Sequence, residues 1–148
     1  MSSMVDALEN SLMLLVFNNT AIANVGDAGG LLASAAPGST QMALSSAALT
    51  DADTLLTATE IAYTGYARPT QARSGAGWTV AAAVASNAAE VLFGEMTAGG
   101  PDTAVHLALG LIATGNVLRL HQDLNADLII NNGTNPRFAI GAMTWTAA

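Results

Sequence analysis

Residues 63–79 read Tyr63-Thr64-Gly65-Tyr66-Ala67-Arg68-Pro69-Thr70-Gln71-Ala72-Arg73-Ser74-Gly75-Ala76-Gly77-Trp78-Thr79. They hold both tyrosines, two of the four basic residues and one of the two tryptophans. Just before them, Ile61 and Tyr63 alternate with Glu60, Ala62 and Thr64, the period of a strand. Pro69 has no amide to give to a ladder, which makes this an edge strand. Gly75-Ala76-Gly77 turns the chain. Trp78, Val80, Ala82 and Val84 then alternate with Thr79, Ala81 and Ala83 as a half-buried strand. An edge strand, a glycine turn and a buried strand in succession point to an antiparallel β fold.

The alternation continues downstream. Val91 and Phe93 form an inward pair against Glu90 and Gly94. Ala98-Gly99-Gly100-Pro101-Asp102 is a turn. Val105, Leu107, Leu109 and Leu111 share one strand face. Leu118 and Leu120 share the face of another strand, with Arg119 and His121 opposite, and Leu128 and Ile130 follow. Asn132-Gly133 is a hairpin-turn dipeptide, because both residues tolerate positive φ. The closing strand sets Phe138, Ile140 and Ala142 on one face and Met143 and Trp145 on the other. Upstream, residues 41–46 read as a short strand, and residues 47–58 are ambiguous between loop and a helical turn. Short strands at 8–12-residue spacing with glycine turns give the expected fold: mainly β, a single antiparallel β-sandwich, jelly-roll-like, over residues 41–148.

Residues 1–40 are expected to form an N-terminal helix and an extended arm. Met4, Val5, Leu8, Leu12, Leu15 and Val16 recur at helical spacing across residues 3–17. Ser3 with Asp6 fits an N-cap and an acid in the first turn. Asn18-Asn19-Thr20 ends the helix. Residues 24–40 are loop by composition, pinned to the core by Leu31 and Leu32. The helix either plugs one side of the sheet or anchors on a partner subunit, with Leu12 and Phe17 as contacts.

Of the 148 residues, 51% are hydrophobic and only 10% charged, and the net charge is −7. A surface so poor in charge reflects either a protein covered by copies of itself or by a larger assembly, or a compositional habit of the source genome. Without cysteine there is no disulfide or thiolate chemistry. Lysine is absent, and the fixed cations are Arg68, Arg73, Arg119 and Arg137. Nucleic-acid and anionic-membrane partners are therefore excluded, since both draw their affinity from basic side chains. The longest apolar run, residues 12–17, is far short of the roughly 20 residues that span a bilayer. Asp6 and Glu9 stand where a signal peptide carries positive charge.

No constellation carries recognisable chemistry. His121, Asp123 and Asp127 cluster in sequence, but a metal needs three or four convergent ligands and His106 falls on a different strand, so no metal is expected. Asp51-Ala52-Asp53 resembles part of a calcium loop, yet Leu56 and Ala62 replace the required glycine and glutamate. Ser74-Gly75-Ala76-Gly77 is neither a nucleophile elbow nor a dinucleotide fingerprint. Glu60, Glu90 and Glu95 are candidates for a glycan-acting carboxylate pair, though nothing marks any two as partners. No cofactor and no enzyme are expected. Tyr63 and Trp78 read as core, leaving Tyr66, Arg68 and Arg73 as interface candidates.

Three blocks carry a resemblance. The first is Leu14-x-x-Phe17-Asn18-Asn19-Thr20-x-Ile22-Ala23-Asn24-x-Gly26-Asp27, leading into Gly30-Leu31. The second is Tyr63 to Arg68, Ala72 to Val80, and Ser86-Asn87-Ala88-Ala89. The third is Leu128 to Gly133, then Pro136-x-Phe138-Ala139-x-Gly141-Ala142. In this order they resemble small tailed-phage virion proteins, often labelled tail-fibre or decoration proteins. Members commonly carry a Leu-His-Thr-Ala-Asp element where this chain has Leu44-Ser45-Ser46-Ala47-Ala48. The resemblance implies a virion structural protein made in the host cytoplasm, contacting the major capsid protein or other virion subunits and forming a homo-oligomer. It supplies no catalytic residues. A capsid decoration (cement) protein on the head exterior is the favoured role, with a tail-tip or tail-fibre module as the alternative.

Overall fold

The computed structural model describes residues 4–26, 29–54, 59–111 and 117–147. Among the described residues the chain is mainly β, and it combines one N-terminal helix with antiparallel sheets, as the alternation predicts. It divides into two compact units. Unit 1 comprises Met1–Gly38, Gln71–Val91 and Phe138–Ala148; unit 2 comprises Ser39–Thr70 and Leu92–Arg137. Three short strands, β2 (Thr70–Ala72), β5 (Val91–Leu92) and β8 (Arg137–Phe138), lie where the chain leaves one unit for the other.

In unit 1, helix α1 (Asp6–Asn18) starts without a side-chain cap, at Val5; the expected cap, Ser3, lies outside the described residues. Asn19 ends the helix in the left-handed region at φ 54°, which asparagine tolerates because its short side chain can bond locally. That side chain holds Ser34 from both sides, donating to its carbonyl at 2.7 Å and accepting its amide at 2.9 Å. Within the arm, Ile22 and Leu31 exchange backbone hydrogen bonds at 2.8 Å. The residue that pins the arm is Ile22, at 5% exposure. Leu31 and Leu32, expected to do so, are 40% and 74% exposed. Bridge pairing fixes the backbone of Leu31 without turning its side chain inward.

Unit 1 also holds β3 (Trp78–Ala81), β4 (Val84–Asn87) and β9 (Thr144–Thr146), in the order β3-β4-β9. The strand expected across residues 78–84 is a hairpin instead. Ala82 and Ala83 turn the chain at φ 49° and 62°, the mirror-image turn that asparagine and glycine usually fill. Alternating alanine and valine hides such a turn from the pattern. Trp78 is fully enclosed, and α1 packs on β3 and β4, so the helix covers its own sheet. Towards the C-terminus the inward face is Met143 and Trp145, whereas Ile140 is 69% exposed.

Unit 2 is built on β1 (Ser39–Ser45), β6 (Asp102–Leu111) and β7 (Val117–Ile130), paired antiparallel in that order. Residues 106–110 of β6 are buried throughout, the mark of a strand covered on both faces. Residues 59–64 make only isolated bridges, Ser45↔Glu60 and Thr64↔Ala98, although Ile61 and Tyr63 are buried as expected. Pro69 follows the edge of β1, its carbonyl accepting the Met42 amide at 3.0 Å. The two runs expected around Leu118 and Leu128 join in one strand, β7. Its register slips: Ala104 faces Leu128 but His106 faces Asp123, so residues 124–127 stand opposite Val105 alone. After Asn132-Gly133 the chain does not return along β7. It runs beside residues 93–96, with the Met96 and Phe93 amides donating to Thr134 and Pro136.

Candidate interaction surface

The five interface candidates occupy unequal places. Leu12 is half-buried on α1. Phe17 is fully buried, its ring edge-on to Trp78 with centroids 4.7 Å apart. The apolar stripe of α1 that reads as a possible anchor is thus occupied inside unit 1 at that point.

Arg73 faces inward as well. Its Nε donates to the Val16 carbonyl and one terminal nitrogen to Leu15, both at 2.7 Å, while the other reaches Pro37 at 2.9 Å. The last turn of α1 has no basic residue of its own. An arginine 57 positions away in sequence from Val16 supplies the missing cation to the helix terminus. The same guanidinium ties down the arm through Pro37. Burial lowers the Arg73 pKa from its ordinary value.

In unit 2, Arg68 forms a fork with Glu60, Nε to Oε1 at 2.7 Å and the terminal nitrogen to Oε2 at 2.5 Å. That bond raises the Arg68 pKa further, and it engages the first of the three carboxylates weighed for catalysis. Tyr66 is half-buried, and its hydroxyl accepts the Leu44 amide at 3.0 Å. Its ring lies edge-on to Tyr63 at 5.3 Å and stacked on Phe93 at 6.0 Å. Desolvation pushes the Tyr66 phenol well above its ordinary value, and more mildly that of Tyr63. Tyr66, Arg68 and Arg73 thus all make internal bonds.

Several carboxylates remain outward, as does Arg137. Asp123 and Asp51 have side chains 82% and 106% exposed, and Asp127, Glu90 and Glu95 are exposed too. The β6–β7 pairing brings together histidines that the sequence places on separate strands. His106 Nε2 lies 2.7 Å from Asp123, His121 Nε2 lies 3.3 Å from Asp51, and the two rings are 6.4 Å apart. Asp53, in the turn at residues 50–53, accepts the Thr50 amide at 2.6 Å and its hydroxyl at 2.9 Å. Those bonds hold its carboxyl below the usual range. Among the described residues no three potential ligands gather for a metal ion, and no helix is long and apolar enough to cross a membrane.

Asn87 is a further structural residue with no local sequence signal. Asn87 is buried, yet its amide donates to Ala89 and Ala139 at 2.8 Å and its oxygen accepts the Met143 amide at 2.9 Å. A buried polar group is tolerated when its bonds are made. The neighbouring Ala88 and Ala89 carry no pattern that points to this role.

Comparison of the sequence with curated proteins finds no match. A family model does match, over residues 3–146, and its description is Podophage GP4 fiber I protein gp80. That span takes in α1 and every strand from β1 to β9, and the chain therefore belongs to the Podophage GP4 fiber I protein gp80 family, a phage virion structural family.

Proposed function

We propose that this chain is a subunit of a virion fibre of the podophage type, holding its place by surface contacts and catalysing nothing. The family match across residues 3–146 carries this reading. The internal use of Arg68 and Arg73 supports it, because two of the four arginines that could orient an anionic substrate are already bonded within the chain. Burial of Tyr63 and Trp78 supports it too, since an aromatic glycan platform needs exposed rings. Repeated copies on one particle would add weak contacts through multivalency.

A second reading, decoration of the head exterior, is favoured by one observation. The net charge of −7 without lysine suits a surface kept away from packaged DNA. Mass spectrometry of separated heads and tails distinguishes the two. The fibre reading expects the protein in the tail fraction, and recovery from heads alone would replace it with decoration. Turnover of a glycan substrate that disappears in Glu90→Gln or Glu95→Gln would sink the non-enzymatic part of the proposal.

A further inference from the structure

Strand β7 is last in its sheet, so among the described residues no strand pairs with its outer row of backbone groups. Edge strands are usually blunted by brevity, by lysine or by a covering element. β7 spans 14 residues, the chain has no lysine, and residues 125–127 and 129 are exposed. Residues 124–127 also lack ladder partners on the inner side, because only Val105 stands opposite them. The bulge keeps a flat strand from pairing along the whole edge, which leaves side-chain chemistry to select the partner.

That chemistry is anionic with one apolar point. Asp123 and Asp127 are exposed on β7, Asp51 reaches His121 from the neighbouring turn, and Ile129 is 61% exposed. We infer that this edge docks an extended, lysine- or arginine-bearing segment of another virion subunit. Strand addition supplies main-chain hydrogen bonds, and the flanking side chains set specificity. A second copy of this chain fits less well. It would bring the same two aspartates against a β7 that carries a single arginine, Arg119, with Arg137 on the separate strand β8 and Arg68 and Arg73 already bonded internally. Like charges facing each other across an interface suppress that pairing. The inference rests on the reading of the chain as a virion component.

Carbodiimide cross-linking of intact virions tests it, because this reagent joins a carboxylate to an amine in contact with it. With no lysine in the chain, any amine other than an N-terminus belongs to a different protein. We expect links from Asp51, Asp123 or Asp127 to lysines of another virion subunit. Asp127→Arg and Ile129→Ser, both with unchanged thermal melting, should each lower the copies per particle about tenfold, and Glu95→Arg should not. Links from Glu9, Glu90 or Glu95 alone, or to the N-terminal amine of a second copy, would overturn the inference. So would undiminished occupancy of Asp127→Arg, whatever the cross-links. Absence of the protein from wild-type particles would remove the virion reading itself.

Discussion

Trp78 and Arg73 organise unit 1 from opposite chemistries. Trp78 fills the space between α1 and its sheet at zero exposure, with Phe17 against its edge. Trp78→Ala should cost about 3–5 kcal/mol, measured by urea unfolding; a loss under about 1 kcal/mol would mean the ring is not part of the core. Arg73 completes carbonyls that α1 cannot satisfy itself. Arg73→Met should cost about 2 kcal/mol, the range for bonds to a charged group. Arg73→Lys should recover only part of that, because an ammonium lacks the planar fork. The burial of Trp78 was legible from its place in an alternating run. The roles of Phe17 and Arg73 were not. Helical spacing says that a face is apolar without saying whose surface covers it, and a guanidinium bonded to distant carbonyls leaves no local pattern.

At the scale of elements, the β3–β4 hairpin holds stored strain. A non-glycine residue in the left-handed region costs roughly 1–2 kcal/mol, and the turn has two in succession, Ala82 and Ala83. The Asn10 side chain of α1 accepts the Ala83 amide at 3.1 Å and helps hold the turn. Ala82→Asn should therefore stabilise the protein by about 1 kcal/mol, read as a higher unfolding midpoint with unchanged denaturant slope. The paired glycines of unit 2 predict the reverse. A Cβ on Gly65 would strike the Glu95 carbonyl, and one on Gly94 the Gly65 carbonyl, with Gly65 also at φ 99°. Gly65→Ala and Gly94→Ala should each destabilise by more than about 1 kcal/mol; a neutral result for Gly94→Ala would mean the two backbones are not in contact. Glycines 75 and 77 were readable as a turn from composition. The Gly65–Gly94 contact joins segments far apart in sequence, so no local window contains it.

For the whole molecule, the alkaline limb of stability follows from the buried phenols. Tyrosine ionises near pH 10.0 in an unfolded chain, while the folded state holds Tyr66 protonated well beyond that. Above this pH the native state binds more protons than the unfolded state, so stability falls as pH rises. Below it the contribution is fully present. Tyr63 acts in the same direction, more weakly. Tyr66→Phe should flatten the decline above pH 10 in urea titrations, while lowering the neutral-pH plateau by about 1–3 kcal/mol, because the Leu44 amide loses its acceptor. The mainly-β class and the leading helix were legible because alternation and helical periodicity are local signals. Division into two discontinuous units was not, because it depends on which distant segments meet.

The slipped register of β7 bears on how the strand would behave in deuterium exchange. On either side of residues 124–127 the amides that point toward β6 have ladder partners, and those within the bulge have none. Exchange should therefore resolve β7 into two slow islands, around residues 120–123 and 128–130, separated by a fast gap. A probe of solvent exchange would see two short strands where the geometry has one, much as the hydrophobic pattern around Leu118 and Leu128 does.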